Sequence, residues 1–425
     1  MIIKAISTGK EISVVVAFVL ITVGLCFAYF SNCQSGDDAA QALNSLLAET
    51  FPAGEPGAAV LIMRGDSVIF DHGYGLSRLP LHGADKAGRV DLWQPDSMHL
   101  SADNRIDGNT FFNIASCSKQ FTAVAVLQLA DRKLLDINLP VVTYMPELTA
   151  PVWQKITIAH LLSHSSGIPD NRGYLSRQQR IDGDEQLALE YLYSLDTLRF
   201  EPGTAYEYMN PTYVLLSRIV ERVSGTDFYE YIGENIFSKA AMGTTCYFDR
   251  DRQYLIPDMA HGYEYGETNG MSEERTAERT DSLRQWYECD FGEETFFATR
   301  PDGGIYSSTH ELARWERALR HSLAGEGKGK DLIRGKTLSD AMSPHIKVTD
   351  SPWSDYQNRP DTYYGYGWFV EPQKGVIYHT GDNGGFKAYI GRYPRLDMTV
   401  IILSNRADWD RYQLKTQIEK LLPSL

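Results

Sequence analysis

The chain has 425 residues, a length that favours two or three folding units at about 150 residues each. Hydrophobic residues make up 43% and charged residues 23%, ordinary globular usage that excludes a disordered, collagen-like or coiled-coil chain. With 41 Lys and Arg against 55 Asp and Glu the formal net charge is −14. So acidic a chain gives no reason to expect general nucleic-acid binding or a polybasic membrane patch, both of which are built on clustered cations.

The first 37 residues read as a leader outside the fold. Lys4 and Lys10 precede an uncharged run of 19 residues, Ile12 to Phe30, whose polar side chains are Ser13 and Thr22. That is an n-region followed by an h-region, longer than most signal h-regions and just long enough to span a bilayer. A cleaved signal and a retained anchor both fit. The stretch Phe30 to Asp38 also resembles a loose lipoprotein processing site, with Cys33 as the lipidated residue and Asn32 in place of the usual small residue before it. All three readings place residues 38–425 outside the cytoplasm, in the periplasm or cell envelope, with the membrane touched through the leader alone. Five cysteines, two of them in the leader, do not make a disulfide framework or a zinc site, although a Cys246–Cys289 bridge is open to an exported protein.

Past the leader, residues 58–63 and 67–72 are apolar, β-rich and separated by Arg64-Gly65-Asp66, the pattern of a hairpin. Residues 80–108 are polar and without period. A strongly apolar helix is predicted from about Gln120 to Ala130, and the stretch to about 345 is rich in helical patterns. Within it, residues 263–295 hold ten acidic and three basic residues and read as a solvated loop. Three apolar runs then follow, 376–379, 386–393 and 398–404, and a helix from about 408 to 422 closes the chain. Strands at both ends and helices between predict an α+β fold. One antiparallel sheet is completed by both termini (about 38–115 and 300–425), with a mostly helical region (about 116–299) inserted.

Three short segments carry chemistry. Ser116-Cys117-Ser118-Lys119 leads directly into the apolar helix. Ser116 would sit at its N-terminus, where free N–H groups and the dipole favour negative charge, with Lys119 on the same face one turn on. A serine hydroxyl needs an adjacent base, and a desolvated Lys is disfavoured as a cation and can serve as one. Tyr208-Met209-Asn210 precedes Pro211 and a periodic stretch ending at Gly225. Asn210 reads as the helix N-cap, Pro211 as the first helical residue and Gly225 as the terminator; Tyr208 either packs or shuttles a proton beside Ser116. His379-Thr380-Gly381 ends an apolar strand, and a Gly there invites close approach by a ligand backbone.

In this order the three resemble Ser-x-x-Lys, Ser-Asp-Asn and Lys-Thr-Gly of the serine β-lactamase and penicillin-binding-protein superfamily. Tyr-x-Asn in the second place is similar to the class C-like branch, which also holds esterases and D-amino-acid peptidases. The stretches Ile156 to Pro169, Asp302 to Ser308 and Tyr364 to Trp368 share its look, and the likeness runs from about residue 40 to 422. The resemblance implies acyl transfer on a small peptide, ester or β-lactam by a monomer without metal or organic cofactor. Ser116 would be the nucleophile and Lys119 with Tyr208 the proton relay. Asn210, His379, Thr380 and Gly381 would hold the substrate, and the backbone N–H groups of Ser116 and Asp382 the oxyanion. Two departures stand out. His379 replaces a fixed cation by a side chain mostly neutral at pH 7, which favours a peptidase or esterase over an antibiotic-resistance enzyme. Met209 replaces a small residue and is expected to narrow the cleft. Cys117 reads as a buried filler, and His160 and His164 as structural residues of a helix-ending turn.

Overall fold

The computed structural model describes residues 36–79, 104–170, 176, 184–247, 259–265, 286–288, 299–325, 331–352, 359 and 361–425. The leader with Cys33, the segment 80–103, Cys289 and most of 263–295 lie outside the described residues. No helix among the described residues is long and apolar enough to cross a membrane. The chain forms two compact units. In the smaller, residues 36–50 are helical, and a second helix, Arg411–Leu421, is capped by Asp410, which accepts from the N–H groups of Tyr412 and Gln413 at 2.9 and 3.0 Å.

Residues 51–409 form the larger unit and carry the site. Its strands, in chain order, are β1 (Ala58–Arg64), β2 (Ser67–Tyr74), β3 (Phe112–Asn113), β4 (Cys246–Tyr247), β5 (Tyr263–Tyr265), β6 (Trp286–Glu288), β7 (Ile305–Ser307), β8 (Ile346–Lys347), β9 (Tyr363–Tyr364), β10 (Phe369–Glu371), β11 (Val376–Asn383), β12 (Phe386–Tyr393) and β13 (Met398–Ser404). The main sheet runs β2-β1-β13-β12-β11-β10-β9-β8, each pair antiparallel. It joins segments far apart in the chain: β1 pairs with β13 from Ala58↔Ser404 to Arg64↔Met398. The fold is thus α+β, and the predicted hairpin and C-terminal meander are its long strands. β1 is buried from Ala58 to Met63 and β13 is buried at all but Thr399, so their apolar runs fit a sheet covered on both faces.

Five helices matter to the site: α1 (Lys119–Asp131), α2 (Ile158–Leu162) and α3 (Pro211–Ser224) in the inserted region, and α4 (Arg300–Gly303) and α5 (Thr309–Ala324) beyond it. α1 is buried from Lys119 to Leu129, the pattern of a helix at the centre of a core, with Gln120, Thr122 and Gln128 each hydrogen-bonded inside. Phe121 stacks on Trp315 of α5 at 4.2 Å, and Trp315 Nε1 donates to Gln120 Oε1 at 3.1 Å, which ties α1 to α5. α3 ends where predicted: Gly225 adopts φ 73°, and its N–H closes on Glu221 O at 2.8 Å. A small sheet, β3-β7-β4, lies at the base of the turn that holds Ser116. Two stretches of the acidic segment form a further antiparallel pair, β5 with β6. Tyr263 of that pair exchanges backbone bonds with Asn405 and Ala407, and the Arg406 guanidinium lies over the Trp286 ring at 4.4 Å.

Candidate active site

Ser116 lies in a 3-10 turn, Ala115–Ser118, that runs straight into α1. Four interactions shape this turn. Ala115 is held at φ 46°, a conformation costly for a side-chain-bearing residue, and Asn113 Oδ1 stabilises it by accepting the Ala115 N–H at 2.6 Å. The Ile114 N–H donates to Ile305 O at 3.0 Å, and Ser118 Oγ accepts from the Ile305 N–H at 3.1 Å, so β7 grips the turn on both sides of the serine. Thr122 Oγ1 donates to Pro301 O at 2.5 Å and fixes α4 beside α1. Ser116 is the partly exposed residue in this otherwise buried run.

Lys119 is wholly buried, with Nζ 3.3 Å from Ser116 Oγ. The same nitrogen donates to Asp302 O at 3.0 Å and lies 3.7 Å from Asp302 Oδ2. Burial pushes the Asp302 carboxyl above its ordinary range, and the Lys119 charge pulls it back. Lys119 Nζ also lies over the Tyr208 ring, 4.8 Å from its centroid, and over that of Tyr213 at 5.5 Å. The structure therefore gathers Ser116, Lys119 and Tyr208, which are 92 residues apart in the chain at their widest (208 − 116), around one buried nitrogen.

β11 closes the other side. A Cβ at Gly381 would collide with the Ile114 carbonyl and stand 3.0 Å from Ala115 Cβ. The protein's own nucleophile turn is thus a backbone that approaches Gly381 closely. The missing side chain lets β11 lie against the turn at Ile114 and Ala115, with Asp382 the next residue of the strand. Asp382 is exposed, and Thr380 is buried. Cys117 is fully buried with Sγ 3.6 Å from His379 O, in keeping with a packing role.

His379 is 1% exposed, and both its nitrogens are engaged inside the protein. Nδ1 donates to Thr380 O at 2.7 Å, and Nε2 lies 2.9 Å from the Tyr364 hydroxyl, which can donate or accept. Asn210 occupies the N-cap position of α3 but with helical φ and ψ (−64° and −47°) and no side-chain cap bond. Its Oδ1 is buried without a hydrogen-bond partner. Capping therefore does not explain this residue, and an orphan buried acceptor is what a substrate N–H would satisfy. Met209 is 1% exposed and packs in the core, so it does not narrow the cleft as expected. His160 Nδ1 accepts from Thr157 N–H in the capping box of α2. Cys246 has no disulfide partner among the described residues, and burial pushes its thiol up to about 11.

Sequence reasoning missed three contributors: Asn113, Asp302 and Tyr364. Asp302 and Tyr364 stand in stretches that carried the resemblance, but nothing local reveals that one meets Lys119 and the other His379. The Asn113-Ile114-Ala115 segment gives no signal of its own.

Comparison with known proteins places the chain in a family. The Beta-lactamase family model matches residues 44–422. Penicillin-binding protein 4* of Bacillus subtilis is 27% identical over 83% of this chain and 69% of its own length. Protein flp of Staphylococcus aureus is 23% identical over 87% of this chain, which spans 64% of that protein. Among solved structures, an octameric penicillin-binding protein homologue from Pyrococcus abyssi superposes with a TM-score of 0.69 at 22% identity, covering 91% of this chain and 77% of its own. A penicillin-binding protein from Bacillus halodurans does so with 0.65 at 23%, covering 89% and 99%. The chain belongs to the Beta-lactamase family, within the superfamily of serine β-lactamases and penicillin-binding proteins.

Proposed function

We propose that this protein is a serine hydrolase that works through an acyl-enzyme on an amide or ester, with a small cell-envelope peptide or an ester as its substrate. The observation that carries the reading is the 3.3 Å approach of a buried lysine nitrogen to Ser116 Oγ, on a turn whose geometry is held from several sides. Ser116 Oγ attacks the carbonyl carbon and its proton passes to Lys119 Nζ or the Tyr208 hydroxyl. The proton then goes to the leaving amine or alcohol. Water adds to the ester, and the acid departs as Ser116 regains its proton. The N–H groups of Ser116 and Asp382 stabilise the oxyanion, each donor being worth about 3 kcal/mol of transition-state stabilisation. Asn210 Oδ1 accepts from the substrate's amide. His379, turned inward with both nitrogens engaged by the protein, presents no exposed side-chain cation to a substrate carboxylate, which favours esters and peptides over dedicated penicillin hydrolysis. The leader supports export to the envelope.

Penicillin binding is the second reading, supported by the names of two of the relatives. Intact-protein mass spectrometry of the full chain after exposure to a fluorophosphonate and, separately, a fluorescent penicillin tests both. A stoichiometric adduct on Ser116, absent in Ser116→Ala, is expected; activity retained by a folded Ser116→Ala would assign the nucleophile elsewhere. A long-lived penicillin adduct would mark a peptidase-like protein, turnover without an adduct a β-lactamase, and a fluorophosphonate adduct alone an esterase. No adduct on folded protein would mark a binding module without hydrolytic activity.

A further inference from the structure

His164 takes no part in the chemistry above, yet it touches the catalytic tyrosine's segment three ways. It follows α2 in a left-handed conformation, φ 55°, which His tolerates better than most residues. It is fully buried. Its carbonyl accepts the Glu207 N–H at 2.9 Å, and its Nδ1 accepts the Met209 N–H at 3.2 Å. These are the amides on either side of Tyr208. The Tyr208 ring itself lies 4.3 Å from the imidazole, tilted by 39°. One residue therefore fixes the backbone before and after Tyr208 and supports its ring from behind, while Lys119 Nζ stands over that ring.

The Met209 bond imposes a condition on the imidazole. Nδ1 accepts only while it carries a lone pair, so the ring must be neutral with its proton on Nε2. Nε2 has no hydrogen-bond partner among the described residues. Around the ring stand Tyr206, Tyr208, Tyr213 and Tyr364, with centroids between 4.3 and 6.1 Å away. Burial, the Lys119 charge and His379 together hold the imidazole well below its ordinary pKa. An aliphatic side chain would fill this space as well. What the aliphatic chain lacks is the acceptor.

We propose that His164 is a positioning residue for acyl transfer: as an uncharged acceptor it fixes the Tyr208 hydroxyl at the height where it shares the proton relay with Lys119. The proposal rests on the acyl-transfer reading. A misplacement of about 1 Å in such a relay costs about 100-fold in rate. Asn at this position keeps both features, since its Oδ1 superposes on His Nδ1 and Asn tolerates positive φ. Leu keeps the volume and loses the acceptor. Gln carries its oxygen one bond too far.

The test is the rate of fluorophosphonate acylation of Ser116 in the full chain, followed by mass, with folding checked by thermal melting. His164→Leu is expected to slow acylation at least tenfold and His164→Asn to stay within about threefold of the unmodified protein. Tyr208→Phe alone and combined with His164→Leu should be equally slow, because two residues acting through one hydroxyl are not additive. Should His164→Leu fail to fold, His164→Gln takes its place and must show the loss that His164→Asn does not. Equal rates for His164→Asn and the acceptor-less variant, or a further multiplicative loss in the double variant, would overturn the proposal while leaving acyl transfer standing. Absence of any Ser116 adduct in the unmodified, folded protein would overturn the acyl-transfer reading and the proposal together.

Discussion

Charge is used in two opposite ways at the two ends of helix α5's neighbourhood. Beside the nucleophile, Lys119 and Asp302 meet with side chains 0% and 7% exposed. At the β1–β2 turn, Asp66 meets Arg320 and His321, and Arg320 reaches Asp397, all with side chains 40% exposed or more. The first pair has been removed from water at a cost that its mutual attraction does not reliably recover. The second sits in a high dielectric, where each pair is worth at most about 1 kcal/mol. A buried charge that a hydrophobic residue could have replaced points to use in chemistry; an exposed cluster of charges points to solubility and a pinned turn.

The sharpest way to break this contrast is Asp302→Ala. It leaves the Lys119 nitrogen without its carboxylate, and a loss of about 3 kcal/mol in denaturant unfolding is expected, together with loss of Ser116 acylation. A change below about 1 kcal/mol would mean that the Asp302 carbonyl alone holds the lysine.

Gly381→Ala should come next. The added methyl meets the Ile114 carbonyl, so β11 and the nucleophile turn must separate, at about 1–3 kcal/mol. Acylation is expected to fall with stability, because the Asp382 N–H moves with the strand; a stable, fully active variant would remove β11 from the oxyanion site.

Asn210→Ala separates capping from catalysis. With no cap bond to lose, the melting temperature should hold or rise slightly, since an orphan buried acceptor is removed. Acylation by amide substrates should fall about tenfold, the value of one hydrogen bond to substrate. A loss of about 1 kcal/mol in stability with unchanged rate would restore the capping role.

The smallest effect belongs to the exposed cluster. The His321 hydrogen bond and the neighbouring Arg320 and Arg317 charges lower the Asp66 carboxyl below 3.8. A depressed carboxylate stabilises the fold above its unfolded pKa and loses that contribution as pH falls through the folded value. Asp66→Asn should therefore cost no more than about 1 kcal/mol at pH 7 and nothing well below pH 3.8, and added salt should erase the difference. A large, salt-insensitive effect would place this cluster with the buried pair.

How much was legible followed from how local each signal is. Period and turn chemistry located β1, β2, β11, β12, β13, α1 and α3, because hairpin turns, a Pro-initiated helix and a Gly terminator are written in neighbouring residues. Ser116, Lys119 and Tyr208 were named from residue type and spacing, and the structure brings them to one nitrogen. Asn210 shows the limit: the same Asn-Pro signal predicts a cap, but its backbone is already helical and its oxygen is left for another partner. His379 shows another. Its type alone tells that the site has lost a fixed cation, whereas the direction of its ring is set by Tyr364, 15 residues earlier.

The sequence by itself determined the α+β class, the long strands and the buried helix, since these rest on apolar periodicity and turn chemistry, and through a family resemblance it named Ser116, Lys119 and Tyr208 as candidates. Tertiary structure alone decided which groups face Lys119, why residue 381 must be Gly, that Met209 turns into the core and that His164 holds both flanks of Tyr208. Those are matters of close approach between segments far apart in the chain. Steric exclusion and buried hydrogen bonding act between whichever atoms the fold brings within a few ångströms, and no local pattern encodes that pairing.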